Sequence, residues 1–118
     1  MIFSVSIERG NGIARLRLSG EMDMAAVAPF REEVSVLERE GAALLVDLDG
    51  LTFVDSSGLH ELVGLHDRVL KSGTAVEFIG PSDRLAKLFE LTSIDYMITR
   101  EHDSTLLAAF NQDRNQNS

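Results

Sequence analysis

Ala43-Leu44-Leu45-Val46-Asp47-Leu48-Asp49-Gly50-Leu51-Thr52-Phe53-Val54-Asp55-Ser56-Ser57-Gly58-Leu59, continuing to Leu70, is the stretch from which the fold is read. Its opening run, Ala43 to Val46, is apolar without polar alternation, which suits a strand covered on both faces, as in a parallel or mixed sheet. Asp47 to Val54 reads as a tight connection. After Ser56 the period changes: Leu59, Leu62, Val63, His66, Val69 and Leu70 fall on one side of a helix. Asp55, Ser56 or Ser57 can cap it. A helix start carries unpaired N–H groups and a partial positive charge, so a serine there is held at the surface where an anion is tolerated. Such a serine is well placed to be modified.

Upstream, Phe3-Ser4-Val5-Ser6-Ile7 and Ile13-Ala14-Arg15-Leu16-Arg17-Leu18 alternate apolar with polar and flank Gly10-Asn11-Gly12, the signature of a β-hairpin. Ser19-Gly20-Glu21-Met22-Asp23 breaks the pattern. Val27, Phe30, Val34 and Leu37 then share a helical face that ends at Gly41, and the spacing starts this helix near Val27 with Pro29 in its first turn. Arg31, Glu32, Glu33, Glu38 and Arg39 mostly face water. Downstream, Ser72-Gly73 closes the second helix and Ala75 to Ile79 forms another strand. Ser82 or Asp83 caps a short helix with Leu85, Leu88, Phe89 and Thr92 inward. Tyr96-Met97-Ile98 is at most a short edge strand. Asp103-Ser104 can cap a last helix bearing Leu106, Leu107 and Phe110. The order predicts an α/β domain with a mixed four- to five-stranded sheet and helices packed against it. One domain is expected over residues 1–110, with a frayed polar tail over 111–118.

Composition narrows the function. Eleven basic against 19 acidic residues give a net charge of -8, and no Lys/Arg cluster offers phosphates a basic patch, which argues against nucleic acid and against an anionic membrane surface. Cysteine is absent, so there is no disulfide, thiolate nucleophile or cysteine metal site. No apolar segment approaches the roughly 20 residues of a membrane span, and Met1-Ile2-Phe3-Ser4 lacks the features of a signal peptide, so a cytoplasmic protein is expected.

Asp55-Ser56-Ser57-Gly58-Leu59 behind an apolar strand, together with Gly20-Glu21-Met22-Asp23, resembles the STAS-domain anti-sigma factor antagonists of bacterial partner-switching systems, with similar spacing from about Phe3 to Phe110. The resemblance implies a STAS-like fold and a protein that acts without catalysis or cofactor. In such systems an anti-sigma factor that is also a serine kinase binds the unmodified antagonist and releases its sigma factor. Phosphorylation dissolves that complex, and a separate serine phosphatase restores it. Carried over by position, the phosphorylated residue is Ser56, with Ser57 as second choice. Asp23, Asp55, Ser57, Gly58 and His60 fall on the implied partner surface. The chain departs from the pattern at His60, where a glycine is usual, and at Ser93, where a glycine commonly follows the third helix.

The same residues admit other readings. Ser56 and Ser57 could be N-caps and nothing more. His66 reads as a histidine at the edge of the core. His60, Glu61 and His66 lack the His-Glu-x-x-His spacing of a zinc site, so no metal is expected. Asp47-Leu48-Asp49-Gly50 resembles the Asp-x-Asp-Gly motif of haloacid-dehalogenase-type phosphatases, in which Asp47 would be nucleophile and Asp49 acid/base beside Mg²⁺. Leu51 before Thr52, and the lack of a suitable later lysine and paired acids, weigh against it. A third reading keeps the fold and makes the chain a STAS interaction module of a transporter or stress-sensing assembly.

Overall fold

Asn11 and Gly12 hold φ values of 55° and 76°, the consecutive left-handed residues that a two-residue hairpin turn requires. They fold β1 (Ser4–Gly10) back on β2 (Ile13–Met22), with Gly10 opposite Ile13. The computed structural model describes residues 2–116, with side chains as far as residue 112. Beyond the hairpin come α1 (Met24–Glu40), β3 (Ala43–Val54), α2 (Ser56–Lys71), β4 (Val76–Ile79), α3 (Asp83–Leu91), 3₁₀ turns at Asp95–Met97 and Glu101–Asp103, and α4 (Thr105–Gln116). The sheet runs β1-β2-β3-β4; its first pair is antiparallel and the other two are parallel. This is the mixed α/β sheet that the sequence predicts, with four strands. A single parallel bridge, Phe78 to Ile98, stands where the short edge strand was expected, because Asp95–Met97 winds into a 3₁₀ turn.

The alternation of side chains along β3 explains its composition. Leu44, Val46 and Leu48 face a core shared with Phe30, Val34 and Leu37 of α1, Leu62, Leu65 and Val69 of α2, and Leu85 and Phe89 of α3. Leu45 faces the other way, into a smaller cluster with Ile13, Ile79 and Phe110 that α4 covers. Both faces are therefore shielded, as the apolar run requires. On the α4 side, Arg15 donates from Nη2 to Asp47 at 2.9 Å, and Glu77 accepts from Ser104 Oγ (2.5 Å) and Leu106 N–H (3.1 Å) at the start of α4. Ser104 Oγ in turn accepts from Leu107 N–H.

Several expectations are corrected. β3 does not give way to a connection at Asp47; it continues to Val54, passing a register shift where Ser19 pairs with Gly50. α1 starts at Met24, three residues early, because Asp23 caps it, and Pro29 therefore lies in the second turn. The N–H that Pro29 lacks would have met the Ala25 carbonyl, on an exposed residue where water can serve instead. The buried face of α2 is Gly58, Glu61, Leu62, Leu65 and Val69, whereas Leu70 is half-exposed. Thr92 is exposed, with its hydroxyl bonded back to the Leu88 carbonyl. The residues expected to form a tail are helical as far as Gln116, and the last two lie outside the described residues.

Ser93 carries φ 61° after α3, a left-handed conformation that costs a side-chain-bearing residue about 1–2 kcal/mol. Glycine relieves that cost but gives back part of it through the greater freedom of the unfolded chain. Ser93→Gly is expected to raise stability by about 0.5–1 kcal/mol, read as a higher urea midpoint at unchanged slope; an unchanged or lower midpoint contradicts this.

Candidate functional site

Two strand-to-helix junctions lie side by side at the carboxyl ends of β2 and β3. Met22 and Val54 are register partners, and each strand passes through one aspartate into its helix. Asp23 caps α1 by accepting from Ala26 N–H (3.2 Å), and Asp55 caps α2 by accepting from Gly58 N–H (2.9 Å). The Asp55 N–H donates to the Met22 carbonyl at 3.2 Å, which ties the second junction to the end of β2.

Of the three residues that could cap α2, Asp55 does so, and the two serines are left out of the cap. Ser56 is the first helical residue and is exposed; Ser57 is partly exposed. Neither hydroxyl has a hydrogen-bond partner among the described residues. Both open into a cleft of about 480 Å³ between α1 and α2, lined by Met24, Val27, Ala28 and Arg31 on one side and Ser56, Ser57, His60 and Glu61 on the other. The structure thus brings Ser56, Ser57 and His60 to one surface; Asp55 caps α2 just before them, and Asp23, the cap of α1, lines a different hollow with Ile2, Phe3 and Pro29. Met24 is 74% exposed at this surface, and Phe53, three residues before Ser56, is 51% exposed.

Gly58 is buried beneath the serines. A Cβ there would lie 2.3 Å from the Met22 carbonyl oxygen, so the first turn of α2 seats directly on the end of β2 only because this residue has no side chain. Gly20, in the other motif, is similarly confined, with an added Cβ 2.2 Å from the Ile2 carbonyl oxygen.

An ion-pair network in the same cleft was not foreseen. Glu61 is 2% exposed and accepts a two-pronged contact from Arg31 of α1, Nε to Oε1 at 3.2 Å and Nη2 to Oε2 at 2.6 Å. Arg68 approaches Glu61 at 3.7 Å and binds Glu38 at 2.9 Å. The hydrogen bond to Glu61, and then its charge, raise the pKa of the Arg31 guanidinium above its ordinary value, against a small opposing cost of burial. Glu61 escaped the sequence because its charge takes it off the apolar stripe. Its spacing from Gly58 and Leu65, three and four residues away, was the available sign that it shares their face.

Asp47 and Asp49 sit elsewhere. Asp47 is buried, one oxygen bound to Arg15 and the other accepting from the Asp49 N–H at 3.0 Å. Both oxygens of the would-be nucleophile are thereby engaged. His66 packs against Phe78 and Tyr96 at the edge of the core. Among the described residues no group of three or more His, Asp or Glu could hold a metal ion, and no helix is long and apolar enough to cross a membrane.

Strand order, helix placement and the paired capped junctions define a small α/β domain whose surface chemistry is gathered at the start of one helix. The family model for the STAS domain matches residues 4–108, and the chain belongs to that family. The anti-sigma-B factor antagonist of Bacillus subtilis (strain 168) is 29% identical to it over 98 residues, 83% of this chain and 90% of that protein. Among solved structures, the anti-sigma factor antagonist SpoIIAA in its unphosphorylated form superposes with a TM-score of 0.74 at 23% identity, covering 95% of this chain and 97% of that one. The Bacillus cell fate determinant SpoIIAA in its phosphorylated form gives 0.70 at 22%, covering 92% and 98%.

Two glycines of α2 separate the junction from ordinary helix propensity. Gly58→Ala is expected to destabilise by about 1–3 kcal/mol, as overpacking against backbone does. Gly64→Ala, whose Cβ meets only the end of the Arg68 side chain at 3.2 Å, is expected to stabilise by up to about 1 kcal/mol. Equal effects of the two in urea denaturation would contradict the close seating of α2 on β2.

Proposed function

We propose that this chain is an anti-sigma factor antagonist: unphosphorylated, it binds an anti-sigma factor that is also a serine kinase, and phosphorylation of Ser56 ends that binding. The observation that carries the reading is the division of labour at the α2 junction. Asp55 does the capping, which leaves the Ser56 hydroxyl exposed and without a hydrogen bond among the described residues. A hydroxyl needed as a cap would be removed from its hydrogen bond by modification; this one is not. The relatives named anti-sigma-B factor antagonist supply the partner class. Exposed Met24 and Phe53 add apolar surface of the kind interfaces use. The reading implies a cytoplasmic protein served by a separate phosphatase, with Asp23, Asp55, Ser57, Gly58 and His60 in or under the contact surface.

In the modification, Ser56 Oγ attacks the γ-phosphorus of ATP, its proton leaves, and ADP departs. The product gains about 1.5 to 2 negative charges. Within the domain, unpaired N–H groups at the start of α2 favour the anion by about 0.3–1 kcal/mol per charge, and the neighbouring Asp55 carboxylate opposes it by a similar amount. The fold is therefore retained. The effect falls on the interface, where a bulky dianion must be stripped of water against a surface shaped for a hydroxyl. That the phosphorylated and unphosphorylated forms of SpoIIAA both superpose on this chain is consistent with a fold that tolerates either state.

Incubation with ATP and the cognate kinase should add one phosphate, mapped to Ser56 by mass spectrometry, and Ser56→Ala should abolish it. Uptake undiminished in Ser56→Ala moves the site to Ser57 or elsewhere. The phosphorylated protein should keep its far-UV helix signal and a melting temperature within about 5 °C of the unmodified one; loss of cooperative unfolding contradicts the reading.

A further inference from the structure

The cleft that holds Ser56 also holds Arg31, and of the residues lining it Arg31 alone bears a permanent positive charge. Its side chain is 62% exposed although it is anchored to the buried Glu61. The anchoring uses Nε and one hydrogen of Nη2. A guanidinium has five N–H donors in a fixed fork, so the Nη1 edge, with its two hydrogens, is uncommitted among the described residues while the Glu61 contact is kept. Glu61 thus holds the fork against the cleft wall in one orientation and removes much of the rotamer entropy that a free arginine would lose on binding an anion.

The geometry points to Arg31 as an internal clamp for the phosphoryl group on Ser56, donating from Nη1 across the α1–α2 cleft. The inference rests on the proposed modification of Ser56 and states how the switch acts. The chain's own arginine draws the dianion down into the cleft, so that the surface a partner would enter is filled by phosphate and bridged from α2 to α1. The remaining charges act in known directions. Asp55 and the net charge of -8 oppose the dianion, Glu61 is already neutralised by Arg31 and Arg68, and His60 lines the same cleft.

Phosphoserine is installed at position 56 by genetic encoding, without a kinase, and its ³¹P shift is titrated in the wild-type chain and in Arg31→Gln and Glu61→Gln variants. A cation beside a phosphate favours the dianion, so the second pKa should fall below the about 6 of a free phosphoserine. Arg31→Gln should raise it by about one unit, and Glu61→Gln, which keeps the guanidinium but loosens its anchor, should leave it below the Arg31→Gln value. A wild-type value at or above about 6 overturns the clamp without recourse to any variant. So does a value unchanged in folded Arg31→Gln, or one in Glu61→Gln at or above the Arg31→Gln value. Since no kinase is involved, a kinase assay that bypasses Ser56 defeats the proposed function and not this contact, and an unshifted titration defeats this contact and not the function.

Discussion

The contact between the first turn of α2 and the last residue of β2 governs this molecule. Asp55 N–H binds the Met22 carbonyl, the Asp55 carboxylate caps the helix, and Gly58 lies against the same Met22 carbonyl. Three successive demands are met there in four residues: a donor facing sideways, an acceptor facing forward, and no side chain at all. Once they are met, Ser56 and Ser57 are left between them without a hydrogen bond among the described residues, at the cleft between α1 and α2. The exposure of the hydroxyl is thus a consequence of how the junction closes.

The two faces of the sheet divide structure from exposure. On the α4 face, charged groups lie close to the core and take partners there: Arg15 Nη2 on Asp47 with the Phe110 ring 5.8 Å below the guanidinium, and Glu77 on the start of α4, while the buried Arg15 Nε has no hydrogen-bond partner among the described residues. On the face carrying α1 and α2, the buried Glu61 is matched by an arginine that is 62% exposed and lines the cleft. Breaking a buried pair by removing one partner is far costlier than losing a surface one, so Glu61 constrains Arg31 more than Arg31 constrains itself. A buried carboxylate thereby fixes a surface cation next to the serines.

Most of the fold was legible because hydrophobic period and turn chemistry agree along the chain. The Asn11-Gly12 turn, the doubly covered run at Ala43 and the helix starts at Ser82-Asp83 and Asp103-Ser104 each follow from local rules and stand where the sequence predicts, with Ser82 and Ser104 taking the caps. The junction motif was legible as a helix start but not as to which of three residues caps it, since Asp, Ser and Ser are all good caps and only packing against Met22 chooses. Tertiary contacts also explain the misses. Asp23 pulled α1 three residues earlier than Pro29 suggested, and pairing with β2 carried β3 through the Asp-Leu-Asp-Gly segment that resembles a turn. Glu61 rotated the inferred face of α2, because a charge reads as solvent-facing until its partner on another helix is known. The positive φ at Ser93, in contrast, lies where the absent glycine had marked a departure.

On the proposed reading, the charge state of one hydroxyl decides whether a partner docks, while the domain beneath it stays the same. Isothermal titration of the cognate anti-sigma kinase with the unmodified chain and with chain bearing phosphoserine at 56, at one ionic strength, measures that decision directly. Desolvating an added dianion should weaken binding at least about tenfold, some 1.4 kcal/mol. Equal affinities for the two forms would contradict the account.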